Sequence, residues 1–327
     1  MRLRSGRTAR RSGWQPLVAI IVATGLAFWI GSNVATALAG RGVRLGFGFL
    51  GTPANFDIGD APIDYTPADT IARALFAGLV NTARISAAGW VACLLLGFAL
   101  GLARLSVNPP LRGAAKAFVD IVRNTPLLLL LFLLMASLHA LPTAREAIEF
   151  LPGFFLSDRG LVGPLPRFGG EGGIGWDIPR LEDFNFSGGF ALSPEFTALL
   201  LALTIHHGVH VSEVVRGAML AVPRGQHEAA RALGLTRWRT MRLVIIPQAV
   251  RAMVPLLASN CVSLTKNSSL AVAIGFADIV SVLNTTANQT GHAIEAMLLM
   301  ILVYLTLSLI VSGAMNWYNG RLLRIAR

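Results

Sequence analysis

Long apolar segments alternate with polar, charged loops along the whole chain. A bilayer-spanning helix needs about 20 mostly apolar residues, and six segments of the sequence meet that length. They are 16–38, 74–103, 117–141, 195–220, 243–265 and 293–316. A further apolar piece, 268–283, is too short to span comfortably, so we expect a short helix or a re-entrant element there. The pattern predicts an all-α integral membrane protein with six transmembrane helices.

The composition agrees with a membrane protein. Of the 327 residues, 54% are hydrophobic and only 14% are charged, and the mean hydropathy is +0.61. A soluble domain carries about 25% charged residues. The net charge of +11 would suit a nucleic-acid-binding protein, but a soluble protein of that kind is not this apolar. We therefore expect no nucleic-acid partner.

The charges differ between alternate loops. Basic residues concentrate in the N-terminal tail (Arg2, Arg4, Arg7, Arg10 and Arg11), in 104–116, in 216–251 and in the C-terminal tail, whereas most acids lie in 39–72 and 142–194. Because Lys and Arg mark cytoplasmic loops, we expect both termini inside and the acidic loops outside. The tail and first apolar segment could also be a signal peptide, but no small-residue cleavage site follows, which favours an uncleaved helix.

Small residues within the spans carry two further expectations. Gly97 and Gly101 have the spacing of helix-packing glycines, although glycine is simply common in membrane helices. Cys93 and Cys261 both lie in apolar runs, so we expect buried thiols rather than a disulfide.

The outward segment 142–194 is rich in Gly, Pro and Asp, and we expect a structureless insertion that faces a partner.

A polar stretch, "EAARALGLTRWRTMRLVIIP", stands between two apolar segments at 228–247. Gly234 suits the left-handed end of a first short helix, and Thr236 suits the N-cap of a second. The result is a helix–turn–helix with small Ala229, Ala230 and Ala232 on its first half. Its second half carries Arg237, Trp238, Arg239 and Arg242. Such an elbow suits a partner surface, or it is a basic loop that only fixes topology.

The same stretch resembles the signature of ABC importer permeases: E-A-A, three residues, G, nine residues, then I-x-L-P. The chain has Glu228, Ala229, Ala230, Gly234 and Pro247 at these positions, with Val244 and Ile246 in place of Ile and Leu. Further stretches resemble the polar amino-acid branch of that family: "NTARIS", "RNTPLLLLLF", "SEVVRGAM", "PQAVRAMVPLLASN" and "LTKNSSLA". The insertion "LPGFFLSDRGL" resembles that of general L-amino-acid permeases. The stretch "HHGVHVSE" departs from the family pattern, which puts the substrate preference in doubt.

The resemblance implies a MetI-like permease fold in a bacterial inner membrane. It divides the chain into an N-terminal helix with its outer loop, 1–72, and a permease domain, 73–320, with the insertion 142–194 and a coupling loop 221–247. Two permeases, here expected to be non-identical, form the path, and a pair of cytoplasmic ATPases uses ATP and Mg²⁺ to drive it. A periplasmic binding protein delivers amino acids. Coupling to the ATPase would rest on Glu228, Ala229, Ala230, Gly234, Arg237, Trp238 and Pro247.

Candidate pathway residues come from ionisable groups inside the spans, which usually line a pathway or pair with one another. His206, His210 and Glu213 share one helix face. The family segments add Arg123, Asn124, Arg216 and Lys266. An acid and an arginine near the midplane would hold the two ends of a zwitterion, although a structural ion pair between helices fits equally well. A metal site at the histidines is a further alternative, and we expect no metal.

Other function classes lack their sequence features. The chain has no "GK" dipeptide and so no Walker A loop; it is not expected to be an enzyme or to bind a cofactor itself. A GxGxxG at Gly170, Gly172 and Gly175 lacks the strand and helix of a dinucleotide site. An ion-driven secondary transporter would need no cytoplasmic elbow, and a membrane enzyme would need an acid/base or metal centre. These remain the two rival interpretations.

Overall fold

A computed structural model describes residues 14–40, 46–170, 173–182 and 185–324. The basic tail with Arg2 to Arg11, and Gly172, lie outside the described residues. The chain divides into two units, Met1–Phe49 and Leu50–Arg327. The first contains helix α1, Gln15–Ala39, which coincides with the first predicted span. The second contains all the other elements named below.

Four helices of the second unit are long and apolar enough to cross a membrane. They are Ile71–Arg104 (α2), Pro194–Ala221 (α5), Arg237–Ile274 and Ala293–Met315. The third of these runs through α7 (Arg237–Thr240), a π-helical turn (Met241–Ile245), α8 (Ile246–Asn267) and a 3-10 helix (Ser268–Ile274). The fourth is part of α10, Ala293–Arg324. Among the described residues this gives four crossings, or five with the bent pair below, and six stays a prediction.

The third predicted span, 117–141, is wrong as one continuous helix. It is divided between α3 (Pro109–Arg123) and α4 (Leu127–His139), which meet at 106°. Pro126 causes the break, because proline has no N–H to donate and disfavours helical backbone at Thr125 before it. Asn124 ends α3, where its Nδ2 donates to the Asp120 carbonyl at 2.7 Å. Arg123, the last residue of α3, contacts Glu213 of α5.

The insertion is not structureless and the fold is not all-α, so both predictions are wrong. Segment 148–192 forms eight short strands: β1 Ile148–Leu151, β2 Phe154–Ser157, β3 Gly160–Gly163, β4 Leu165–Gly170, β5 Gly173–Asp177, β6 Arg180–Glu182, β7 Asn185–Ser187 and β8 Phe190–Leu192. Four of the strands pair in one antiparallel sheet of order β1-β2-β3-β8, and the others form the hairpins β4-β5 and β6-β7. Glycines at positive φ, such as Gly153 and Gly160, allow the tight turns. Alternation of apolar and polar residues is weak here, which is why the sequence suggested a loop.

Helices α2 and α5 run side by side and in the same direction, with glycines at their contact. A Cβ at Gly97 would overlap the side chain of Val211, and one at Gly101 would lie 2.8 Å from the Cβ of Val215. Helix-packing roles for both glycines are thereby confirmed. The core around this contact includes Ile85 and the free thiol of Cys93, and the thiol of Cys261 in α8 is free and buried as well. The insertion meets α5 at its start, and the elbow follows α5 at its end.

Gly101→Ala is expected to lower the thermal stability of the protein in detergent. The added methyl must displace Val215 or the helix backbone, which costs about 1–3 kcal/mol by the usual penalty for overpacking. Gly217→Ala in α5 is the matched control, since nothing lies within 4 Å of the position of its Cβ. Alanine favours helix more than glycine, so this control should be neutral or slightly stabilising. Equal thermal midpoints for the two variants would contradict the packing role of Gly101.

The short apolar piece 268–283 forms a 3-10 helix and the start of another short helix. After Ser268–Ile274, Gly275 turns the chain at φ +79°, and α9 covers Ile279–Thr290. The Asp278 side chain caps α9 by accepting from the Ser281 amide at 2.8 Å. The turn is bound to α2, because the Asn81 Nδ2 donates to the carbonyl of Ala277 at 3.1 Å. The expected short helix packed against protein is confirmed.

Candidate functional site

The elbow between α5 and α8 has the predicted helix–turn–helix form. Helix α6 covers Arg224–Ala232, and Gly234 follows it at φ +73°. The reversal is closed by two backbone hydrogen bonds, from the Gly234 amide to the Arg231 carbonyl at 2.9 Å and from the Leu235 amide to the Ala230 carbonyl at 3.0 Å. This is the pattern of a glycine-terminated helix. The predicted left-handed conformation of Gly234 is confirmed.

The second half of the elbow begins at a capping threonine. The Thr236 side chain accepts from the Arg239 amide at 3.4 Å, as predicted, and α7 continues through a π-helical turn into α8. Pro247 is the second residue of α8, directly after the π-helical turn, and it has no N–H to donate to that turn. The elbow is therefore joined to a membrane span without an intervening loop.

Buried and exposed residues alternate on the elbow. Ala230, Thr240 and Ile245 are buried against the rest of the chain, so Ala230 does not contribute to an exposed surface. Ala229 and Ala232 are exposed. Two large apolar side chains project outward, Leu233 at 81% exposure and Trp238 at 70%. Arg237, Arg239 and Arg242 of the same elbow are exposed as well.

Three arginines converge on one glutamate at the elbow end of α5. The Glu213 Oε1 accepts from Arg104 and from Arg123, each at 2.9 Å, and its Oε2 accepts from Arg216 at 3.3 Å. The Arg104 side chain is only 8% exposed and also donates to the Ser212 hydroxyl at 3.3 Å. The hydrogen bonds of Glu213 compensate for part of the cost of taking the nearly buried Arg104 out of water.

The arginine cluster lies near the ends of two helices, since Arg104 is the last residue of α2 and Arg123 the last of α3. A position near the membrane midplane stays a prediction. The pairing of Glu213 with nearby arginines is confirmed. The most buried partner, Arg104, was missed because the sequence places it in a basic loop. The sequence did contain a signal for this pairing: Arg104 ends one predicted span, and Glu213 lies near the end of another that points the same way.

The histidines form a second polar group, farther from the elbow on α5. The ring centroids of His206 and His210 lie 4.9 Å apart, and those of His206 and His207 5.4 Å apart. His206 is half-buried and His210 exposed, whereas His207 is buried. Among the described residues, no group of three or more His, Cys, Asp or Glu is arranged to hold a metal ion. The sequence did not single out His207, which contacts Asn260 and Asn267 of α8.

The remaining predicted pathway residues are dispersed. Lys266 is exposed near the end of α8 and, with Ser269 and Tyr304, lines an open cavity of about 680 Å³ whose other walls are largely apolar. Asn124 caps α3 and shares no hydrogen bond with the arginine cluster in the described part of the chain. The structure thus joins Arg123, Glu213 and Arg216, and places Lys266 at a separate site. Gly170 and Gly175 belong to the hairpin β4-β5, without the strand-to-helix turn of a dinucleotide site.

Comparisons with known proteins agree on one family. The family model "Binding-protein-dependent transport system inner membrane component" matches residues 94–324. The permease protein YhdX of Escherichia coli strain K12 is 38% identical, over 95% of this chain and 94% of its own length. The general L-amino acid transport system permease protein AapQ of Rhizobium johnstonii is 34% identical, over 97% and 93%.

A third relative is the glutamate/glutamine/aspartate/asparagine transport system permease protein BztB of Rhodobacter capsulatus, 34% identical over 93% of this chain and 92% of its own length. Among solved structures, one described as an amino acid ABC transporter with histidines superposes with a TM-score of 0.57 at 24% identity. It covers 76% of this chain and 94% of that one. At this identity the superposition supports the fold alone.

Proposed function

The chain belongs to the family of binding-protein-dependent transport system inner membrane components, and we propose that it is the permease subunit of an ATP-driven amino-acid importer. Its relatives of similar length are named as amino-acid transport permeases. The chain itself performs no chemistry in this proposal. ATP and Mg²⁺ act in a separate ATPase, and the permease converts ATPase motion into an opening and closing of the path.

The projecting elbow is the observation that carries the coupling role. Leu233 and Trp238 are exposed apolar side chains on the same short segment as the exposed Arg237, Arg239 and Arg242. Large apolar residues with arginine neighbours are typical of the energetic centre of a protein interface. A loop that merely fixed topology would need the arginines but no exposed tryptophan. The partner is an ATPase pair that grips the elbow from the cytoplasm, with Glu228, Ala229 and Pro247 as further contact or hinge positions.

The proposed orientation follows from the elbow. With the elbow in the cytoplasm, the end of α5 is cytoplasmic and its start, together with the β-rich insertion, is periplasmic in a bacterial inner membrane. Both termini are cytoplasmic if α1 crosses as well. The insertion continues directly into α5, since β8 ends at Leu192 and the Ser193 side chain caps α5. A periplasmic binding protein would therefore approach the start of α5, at the end of this span opposite the elbow.

A second permease subunit, proposed to be non-identical, completes the path. His210, Arg123 and Arg216 are all partly or fully exposed although they lie on a membrane-embedded bundle. Charged and polar side chains are costly against lipid and face a water-filled cavity or another subunit instead. We assign His206, His210, Glu213, Arg216, Arg123 and Asn124 to this polar face, with Lys266 at a second position on the path.

Site-directed cross-linking tests the coupling role. Ala232→Cys, on the exposed elbow, is expected to cross-link to the ATPase in intact cells. Val107→Cys is the control, because Val107 is 95% exposed in the neighbouring loop but lies outside the elbow. The native thiols of Cys93 and Cys261 are buried and give little background. Absence of a cross-link from position 232, or uptake that survives deletion of the ATPase, would support a secondary transporter instead.

A further inference from the structure

One imidazole lies between two asparagine side chains at the contact of α5 and α8. The Nδ1 atom of His207 is 3.2 Å from Oδ1 of Asn260, and its Nε2 atom is 3.1 Å from Nδ2 of Asn267. His207 is 2% exposed, whereas both asparagines are only half-buried. No other group of the described chain contacts the imidazole nitrogens by a hydrogen bond.

The two contacts define one protonation state. An amide oxygen can only accept, so Nδ1 must carry the proton that it donates to Asn260. An amide NH₂ can only donate, so Nε2 must keep its lone pair and accept from Asn267. The neutral Nδ1–H tautomer satisfies both contacts, and a doubly protonated ring would set an N–H against the NH₂ of Asn267.

This tautomer fixes the orientation of both asparagine amides: one binds the ring through its oxygen and the other through its NH₂. Asn260 uses its oxygen on His207 and leaves its NH₂ as a free donor. Asn267 uses its NH₂ and leaves its oxygen as a free acceptor. Neither free atom has a hydrogen-bond partner in the described ranges of the chain, and neither side chain is fully buried.

The free atoms lie beside the exposed polar face of α8. Ser259, Ser263 and Lys266 are exposed on this span. Polar groups exposed on a spanning helix face water or another subunit rather than lipid. The path that we propose between permease subunits therefore passes a donor at Asn260 and an acceptor at Asn267.

We propose that His207 is a positioning residue for substrate selection, a role that rests on the function proposed above. By holding both amides, it presents the Asn267 oxygen to the ammonium group of an α-amino acid, while the Asn260 NH₂ faces its carboxylate. The site selects zwitterions: a molecule without the ammonium group leaves the Asn267 oxygen unpaired. His207 itself does not touch the substrate.

Binding to the purified transporter complex, without the binding protein, tests the selection. With L-glutamine as the probe, His207→Leu is expected to weaken binding about tenfold, the effect of losing a well-placed hydrogen bond. His207→Gln keeps one donor and one acceptor and should bind nearly as well as the unchanged protein. Equal weakening by the two variants, or by neither, would overturn the proposal.

A second comparison works even if His207→Leu fails to fold. Asn267→Ala should weaken L-glutamine about tenfold and leave N-acetyl-L-glutamine, which lacks the ammonium group, unchanged. Equal losses for both probes would contradict the assignment of the Asn267 oxygen. If the complete importer takes up no amino acid in the presence of its ATPase and binding protein, the proposed function fails; if uptake is normal but these differences are missing, only the role of His207 fails.

The tautomer can be read directly by ¹⁵N NMR of the complex with labelled histidine, assigned by loss of the signal in His207→Gln. The expected spectrum shows a neutral ring protonated on Nδ1. A ring protonated on Nε2 would reverse both amides and present an acceptor at Asn260 and a donor at Asn267. That result would overturn the proposed arrangement regardless of the binding data.

Discussion

Gly234→Pro is expected to abolish amino-acid uptake while the protein still inserts into the membrane. Gly234 has φ +73°, and proline is restricted to about −65°. The substitution also removes the amide that donates to the Arg231 carbonyl at 2.9 Å. The turn between α6 and α7 cannot form, so the two halves of the elbow no longer hold their relative positions. Uptake of labelled amino acid and co-purification of the ATPase should both be lost.

The matched control is Gly234→Asn. Asparagine adopts the left-handed conformation more readily than other side chains, and nothing lies within 4 Å of the position that its Cβ would take. Steric conflict therefore cannot explain a difference between the two variants, and Gly234→Asn should retain most of the uptake. Normal uptake by Gly234→Pro would show that the shape of the elbow does not matter and would refute the coupling role.

Glu228→Lys tests the same surface by charge. Glu228 is exposed on α6 and its replacement leaves the backbone of the turn intact. If the ATPase recognises this face, reversal of the charge should reduce co-purification without lowering the thermal midpoint. Gln226→Lys serves as the neighbouring control on the same helix; it adds one positive charge where Glu228→Lys adds two, and it removes the contact to Gln248 at 3.1 Å. A loss of co-purification in Gln226→Lys at least half as large as that in Glu228→Lys would point to overall charge rather than to Glu228.

Local chemistry allowed the elbow to be predicted closely from sequence. Glycine strongly prefers the left-handed position after a helix, and threonine prefers the N-cap, where its side chain accepts from an amide three residues later. Gly234 and Thr236 follow these preferences. The spans were predictable for a similar reason, since their length and apolar character depend only on the thickness of the bilayer. Both features are set by short stretches of sequence.

Features that depend on distant contacts were not predictable in this way. The bend at Pro126 was missed because the apolar residues on both sides of it together have the length of one membrane span. The strands of the insertion are three to six residues long and pair mainly with their neighbours, but their apolar pattern is faint. Arg104 and Glu213 are 109 residues apart, and no local rule brings them together. The pairing of His207 with Asn260 and Asn267 likewise arises only when α5 packs on α8.

Glu213→Gln is expected to cause the second large effect, through the arginine cluster. The substitution leaves Arg104, which is 8% exposed, beside a neutral amide and without its counter-charge. Breaking a buried pair in this way costs about 3–5 kcal/mol, and the lower end applies because Glu213 is 25% exposed. The thermal midpoint should fall clearly. Arg216→Gln is the control: Arg216 is 38% exposed and its contact is 3.3 Å, so its loss should cost no more than about 1 kcal/mol.

The double variant Glu213→Gln/Arg104→Gln separates a structural ion pair from a residue that binds substrate. Removing both charges eliminates the unpaired buried cation, so the double variant should be more stable than Glu213→Gln alone. If the cluster only joins α2, α3 and α5, uptake should recover together with stability. If Glu213 also contacts the substrate, stability should recover while uptake remains low. A double variant as unstable as the sum of its two single variants would show that Arg104 and Glu213 do not depend on each other, contrary to their 2.9 Å contact.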